Sequence, residues 1–123
     1  MQFDSQRPIY LQLLEDFKAK ISTGKRESGS KIGSVRDLAK AYGVNPNTIQ
    51  RALQELERDG LTVSKRTAGR YVTSDKELIE SLTNKSFDLI ADEFVSSCLS
   101  LNLEKDKVFK LLEEYWEKHF DLY

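Results

Sequence analysis

The segment Gly43–Gly60, GVNPNTIQRALQELERDG, constrains the fold more than any other because both of its ends are marked. Asn45 can cap a helix with its side-chain oxygen, and Pro46 takes the first helical position, where a missing N–H costs nothing. Gly60 terminates the helix. On a wheel turning about 100° per residue, Ile49, Ala52, Leu53 and Leu56 fall on one face. Asn47, Arg51, Gln54 and Arg58 fall opposite, with Thr48 and Gln50 on the flanks. Just upstream, Ser34 starts another helix, and Asp37 completes an approximate capping box. Val35, Leu38, Ala39 and Tyr42 of that helix face inward, and Gly43 ends it. Two short amphipathic helices therefore meet across a tight turn.

The flanking segments complete the pattern. Pro8 suits the first turn of a helix that carries Ile9, Leu13, Leu14, Phe17 and Ile21 at helical spacing, and Gly24 stops it. The polar stretch GKRESGSKIG reads as a loop with a short strand around Lys31–Ile32. After Gly60, LTVSK and GRYVT read as two strands joined by the turn Arg66-Thr67-Ala68-Gly69. The order helix, helix, tight turn, helix, hairpin is that of a winged helix-turn-helix, assigned here to residues 1–74. The small side chains at the tip, Thr67, Ala68 and Gly69, predict a mobile wing in the absence of a ligand.

Residues 75–123 read differently. A helix from Asp75 to about Leu101 carries Phe87, Ile90, Phe94, Cys98 and Leu101 at steps of three and four. After Asn102, a helix from about Glu104 carries Val108, Leu111, Leu112, Tyr115 and Trp116. This is more large apolar surface than one antiparallel pair can hide, in a segment too small to hold a core alone. The surplus predicts a homodimer, with Phe87, Ile90, Phe94, Cys98, Leu101, Leu111, Leu112, Tyr115 and Trp116 at its interface; the alternative is packing back on the winged helix, which the opposite charges of the two halves would allow. A two-fold pair of tails would set two recognition helices about 34 Å apart, one turn of DNA. The tail is too short for a roomy pocket within one subunit, which leaves the dimer seam for a small-molecule effector. The fold class expected is mainly α with a small β-hairpin wing, followed by a two-helix dimerisation tail.

Charge separates the same two segments. Residues 1–74 hold 13 Lys/Arg against 8 Asp/Glu, a surplus of five positive charges. Residues 75–123 hold 6 against 12, a surplus of six negative charges, so the whole chain carries −1. A basic front joined to an acidic back suggests that only the front meets a polyanion. The 39% hydrophobic and 32% charged content suits a globular protein. No apolar run approaches the roughly 20 residues of a membrane span, and MQFDSQRPIY has no signal-peptide pattern. A lone cysteine fits a reducing cytoplasm. Cys98 and His119 are too far apart in sequence to form a spaced metal motif. Asp88 and Asp92 stand one helical turn apart, with Glu93, Glu113 and Glu117 nearby, but such pairs are far more often a solvated face than a catalytic dyad. The expectation is a protein that is not an enzyme and uses no metal or cofactor.

The outer face of the third helix gives the positive reading. Asn and Gln can pair bidentately with adenine and Arg with guanine, and a helix in the major groove reads bases from its N-terminal residues. A merely solvated face would do as well with Lys and Glu, whereas Asn is a weak helix former. Asn47, Gln50 and Arg51 are therefore expected to read bases in double-stranded DNA. Arg36, in the first turn of the preceding helix, is expected to meet a phosphate. Lys65, Arg66 and Arg70 surround the wing tip and could grip the backbone or minor groove, with Gly69 allowing close approach. The competing reading is a winged helix used only as a protein-interaction module, without DNA binding; the basic front and the groove-facing side chains weigh against it.

Residues 8–73 resemble the GntR-type winged-helix domain of bacterial transcription regulators. The stretches that carry the likeness are PIYLQL, SVRDLAKAYGVNPNTIQRALQELERDGL and AGRYV. The Asn-Pro-Asn-Thr turn and the short two-helix tail resemble the YtrA-like subfamily. The resemblance implies a homodimeric repressor binding a palindromic operator, often beside transporter genes. It places DNA contacts at Arg36, Asn45, Asn47, Thr48, Gln50, Arg51, Thr67, Gly69 and Arg70.

Overall fold

The structure, a computed structural model, describes residues 1–66 and 69–122, with side chains placed through residue 120. Helices α1 (Ile9–Ser22), α2 (Val35–Tyr42) and α3 (Pro46–Arg58) precede strands β1 (Thr62–Lys65) and β2 (Gly69–Val72). Helices α4 (Lys76–Ser100) and α5 (Lys105–Leu122) follow. The chain divides into two compact units, Met1–Asn84 and Lys85–Tyr123. The first unit has the winged-helix arrangement that the residue pattern predicts.

Pro8 stands one position before α1 rather than inside its first turn, because its ψ of 135° is extended. The buried face of α1 comprises Leu13, Phe17, Ile21 and one amide, Gln12. The Gln12 side chain is fully engaged: its oxygen accepts the Asp4 N–H at 2.7 Å, and its nitrogen donates to the carbonyls of Asp4 at 2.7 Å and Arg7 at 2.9 Å. A buried amide is tolerated only with such partners, and here it straps residues 4–7 onto the helix. Phe3 packs against the core beside this strap.

Helix ends follow one device repeatedly. At the end of α2, Val44 N–H donates to the Ala39 carbonyl at 3.0 Å and Gly43 N–H to the Lys40 carbonyl at 3.3 Å, with Gly43 at φ 68°. At the end of α3, Leu61 N–H donates to Leu56 and Gly60 N–H to Glu57, both at 3.0 Å, with Gly60 at φ 77°. These are Schellman closures, in which a left-handed residue lets the last carbonyls find donors. The α2 closure is what keeps the turn between α2 and α3 so short.

β1 and β2 pair antiparallel from Thr62 opposite Val72 to Lys65 opposite Gly69. The short strand expected around Lys31–Ile32 is a single bridge at the sheet edge, where Lys31 pairs with Tyr71. Ile32 N–H donates to the Arg70 carbonyl at 2.9 Å, and Val72 N–H to Ser30 at 2.8 Å. The core beneath gathers Leu13, Phe17 and Ile21 from α1, Leu38 and Ala39 from α2, and Ile49, Ala52, Leu53 and Leu56 from α3. Ile32, Leu61 and Val72 close it from the sheet side. Leu78, Ile79 and Leu82, in the first turns of α4, pack against the same core, so the first unit continues past Ser74 to Asn84. The mobility expected at the wing tip concerns Thr67, Ala68 and Gly69, of which Thr67 and Ala68 lie outside the described residues.

In the second unit apolar side chains have almost nothing to pack on. α4 contains no buried residue. Among the described residues of this unit, only Ala91, Cys98, Leu103 and Val108 are half-buried, and the rest are exposed. Phe87 and Ile90 are 67% exposed and Trp116 is 77% exposed. Asn102, at φ 55°, closes α4 as Gly43 and Gly60 close their helices: Leu103 N–H donates to the Cys98 carbonyl and Asn102 N–H to Leu99, both at 3.1 Å. Asparagine tolerates this conformation better than other side chains with a Cβ.

Candidate nucleic-acid interface

The outward face of α3 begins at a capped end. The Asn45 side-chain oxygen accepts the Asn47 N–H at 2.8 Å, and Pro46 follows at the first helical position. Asn45 therefore engages its side-chain oxygen in the cap, while its side-chain N–H₂ stays available to a ligand. With Ile49, Ala52, Leu53 and Leu56 held in the core, Asn47, Arg51, Gln54 and Arg58 are exposed. Thr48 and Gln50 are half-buried on the flanks, as the wheel predicts.

Arg51 is not a free-swinging side chain. Its guanidinium carbon lies 3.6 Å from the centre of the Tyr10 ring on α1. That distance is a face-on stack, worth about 0.5–1 kcal/mol at an exposed site. Nothing local in the sequence signals this contact, since the partners are brought together only by the packing of α1 on α3.

The first turn of α2 lies beside the sheet edge. Ser34 Oγ accepts the Asp37 N–H at 3.1 Å, which is the half of the capping box that this turn forms. Arg36 is exposed there. A groove runs between this turn, residues Lys31–Gly33 and the wing strand, and it is lined also by Gly69 and Arg70. Lys31, which the residue pattern did not single out, stands in this groove beside Arg70. A Cβ on Gly69, whose φ is 87°, would meet Lys31 Cε at 3.4 Å. The left-handed backbone, rather than crowding, is what favours glycine at this position, since the end of the Lys31 side chain makes only ordinary contact there. Arg70 is half-buried, and its buried Nε has no hydrogen-bond partner among the described residues. Lys65 lies 4.5 Å from the centre of the Tyr71 ring, and Lys65 and Arg66 are exposed. Thr67 lies outside the described residues.

Ion pairing sorts the cations of this unit. Arg7 pairs with Glu15, Lys18 with Asp59, Lys20 with Asp16 and Arg58 with Glu55. Among the described residues, none of these pairs involves Lys31, Arg36, Arg51, Lys65, Arg66 or Arg70. Among the described residues the cations of the first turn of α2, the outward face of α3 at Arg51 and the wing are thus without a carboxylate partner, as are Lys25, Arg26, Lys40 and Lys76 elsewhere in the unit. Away from them, Lys20, Tyr42 and Asp16 tie α1 to α2: Tyr42 donates to Asp16 at 2.7 Å, and Lys20 donates to Tyr42 at 3.0 Å and Asp16 at 2.9 Å. Burial pushes the Asp16 carboxyl up, but the hydrogen bonds from Lys20 and Tyr42 and the nearby charges outweigh it and hold it below the usual carboxylate range.

The residues named for a dimer seam lie in the second unit. Phe87, Ile90, Phe94, Leu101, Leu111, Leu112, Tyr115 and Trp116 are exposed and Cys98 is half-buried. Leu89, Val95, Leu99, Phe109 and Phe120 add exposed apolar surface that the stripe had left out. Among the described residues no three His, Cys, Asp or Glu side chains group as metal ligands, and no helix is long and apolar enough to cross a membrane.

A capped helix bearing amides and an arginine, framed by unpaired cations and a basic hairpin, defines a winged-helix nucleic-acid-binding protein. Residues 9–72 match the sequence profile of the bacterial regulatory proteins of the gntR family, and the chain belongs to that family. It is 32% identical over 116 residues to the uncharacterized HTH-type transcriptional regulator YhcF of Bacillus subtilis, covering 94% of this chain and 96% of that protein. It is 38% identical over 71 residues to the HTH-type transcriptional repressor YtrA of the same organism, covering 58% of this chain and 55% of YtrA. Among solved structures, a GntR family transcriptional regulator from Listeria monocytogenes superposes with a TM-score of 0.83 at 38% identity, over 91% of this chain and 98% of that one. AraR(DBD) in complex with operator ORR3 superposes with a TM-score of 0.52 at 29% identity, over 59% of this chain and 88% of that one.

Proposed function

We propose that this chain is a sequence-specific transcription regulator that represses by binding a palindromic DNA operator as a homodimer. The observation that carries the reading is the outward face of α3, where Asn47, Gln50 and Arg51 present planar hydrogen-bonding groups beside cations that no carboxylate neutralises. In this reading Asn47, Gln50 and Arg51 contact base edges, with Thr48 and the side-chain N–H₂ of Asn45 beside them. Arg36, Lys31, Lys65, Arg66, Gly69 and Arg70 meet the sugar-phosphate backbone, and the family resemblance adds Thr67 to these contacts. The likeness to an operator-bound AraR domain and to a repressor, YtrA, supports both the ligand and the sign of regulation.

The exposed apolar face of the second unit supports the dimer. An exposed patch of this size on one chain calls for a cover, and a second copy buries both stripes at once. Two copies of α3 then read the two halves of a palindrome, in the cytoplasm where the bacterial chromosome lies. A small-molecule effector fits the seam between tails better than the open surface of α5. Selection of bound duplexes from a random pool tests the reading: an enriched inverted repeat, with affinity falling steeply as salt rises, is expected. A pool that stays random and binding that ignores salt would leave a protein-interaction module instead.

A further inference from the structure

We propose that Tyr10, on α1, is a positioning residue for sequence readout, holding the Arg51 guanidinium flat for a base edge; this rests on the assignment of Arg51 to base contact. A guanidinium is planar, and all of its N–H donors lie in that plane. A ring stacked on its face at 3.6 Å therefore restrains the group without using any donor. An unrestrained arginine loses much rotamer freedom on making a bidentate contact, and a stacked one has lost part of it before the ligand arrives. The ligand that profits is a pair of neighbouring acceptors in one plane, which in the major groove is the O6/N7 edge of guanine.

The platform is itself held in place. Tyr10 is half-buried in the first turn of α1, and two residues on, the buried Gln12 ties that turn to Asp4 and Arg7. Leu13 and Phe17, fully buried, fix α1 in the core that it shares with α3. The position of the ring relative to α3 is thus set by the core and by the strap. An aromatic residue outside the recognition helix thereby contributes to what that helix reads. Among the described residues Arg58, on the same helix face, has no such platform, and it pairs with Glu55 instead at 3.3 Å. The stack thus singles out Arg51 between the two arginines of α3.

The test uses full-length protein and two duplexes: the inverted repeat recovered from the random pool, and the same duplex with its half-site guanines replaced by adenines. Tyr10→Leu keeps bulk and removes the π face; Tyr10→Phe keeps the face; Tyr10→Ala checks that the result does not depend on the leucine. Loss of a stack of this kind corresponds to roughly two- to five-fold weaker binding. That loss is expected for Tyr10→Leu on the recovered repeat, with no loss on the guanine-free duplex, wild-type affinity for Tyr10→Phe, and no added loss when Arg51 is already alanine. Equal weakening on both duplexes, or the same loss without Arg51, would reduce Tyr10 to a structural residue. Unchanged or tighter binding by Tyr10→Leu would make the stack a resting place that Arg51 leaves, and would overturn the proposal. If Arg51→Ala keeps full discrimination, the assignment of Arg51 to readout fails and Tyr10 goes with it. If Arg51→Ala abolishes discrimination while Tyr10→Leu does not, only the Tyr10 proposal fails.

Discussion

The two units of this chain solve the same problem in opposite ways. In Met1–Asn84, three short helices and a hairpin of four-residue strands bury Leu13, Phe17, Ile49, Ala52 and Leu56 completely. In Lys85–Tyr123, longer helices leave Phe87, Ile90 and Trp116 mostly in solvent. The helices of the first unit are individually too short to be stable and exist because of what they pack against. Those of the second carry many large apolar side chains and leave most of them exposed. The contrast teaches that apolar content does not measure self-sufficiency. What matters is whether the chain itself can return a complementary surface.

The contrast breaks most sharply at Phe17. Truncation to alanine leaves a cavity at the centre of the first core and should cost about 3–5 kcal/mol, read by denaturant unfolding of that unit. A loss below about 1 kcal/mol would mean that the core is not the continuous one described. In the second unit, Phe94→Asp should cost the dimer on the order of 3 kcal/mol by burying an unpaired charge in the seam, while the first unit stays folded. Light scattering decides the matter; a wild-type monomer at micromolar concentration, or a Phe94→Asp protein that remains dimeric, would sink the seam. Arg51→Ala should cost about 1–3 kcal/mol on the selected repeat and much less on random DNA. Arg36→Ala should weaken all duplexes alike and flatten the salt slope by about one unit, measured by titration at several ionic strengths. The smallest effect concerns Asp16. Its carboxyl is held below the ordinary value in the folded state, so its contribution is present above the unfolded value, near pH 4, and is lost as pH falls through the folded one. With both partners partly exposed, Asp16→Asn should remove about 0.5–1 kcal/mol at neutral pH and flatten the acid limb of the stability curve.

Local chemistry made much of this fold legible. Ser34, Asn45, Gly43, Gly60 and Asn102 mark helix ends through hydrogen bonds made within a few residues, and each stands at or beside the end that it announces. The inward face of α3 follows from periodicity alone. What was not legible depends on distant partners. Gln12 looks like a surface amide until residues 4–7 fold back on it. Lys31 joins the wing groove, and Tyr10 meets Arg51, only through tertiary packing. The division after Ser74 followed charge, whereas the compact unit ends at Asn84, where the apolar residues Leu78, Ile79 and Leu82 have finished packing on the winged core. In the tail the apolar stripe was visible in the periodicity, and its side chains stay largely exposed in the second unit.

The exposed indole of Trp116 has a practical side. The chain holds one tryptophan and one cysteine, Trp116 and Cys98, and both lie in the second unit. The chromophores of the described winged core are tyrosines and phenylalanines. Emission excited at the red edge of the indole band therefore reports the tail alone, and a thiol-directed probe on Cys98 labels the same unit at a single place. Diluting the protein while following indole emission, with circular dichroism recorded in parallel, separates subunit dissociation from unfolding in an unmodified sample. The molecule thus carries a built-in optical reporter confined to its tail.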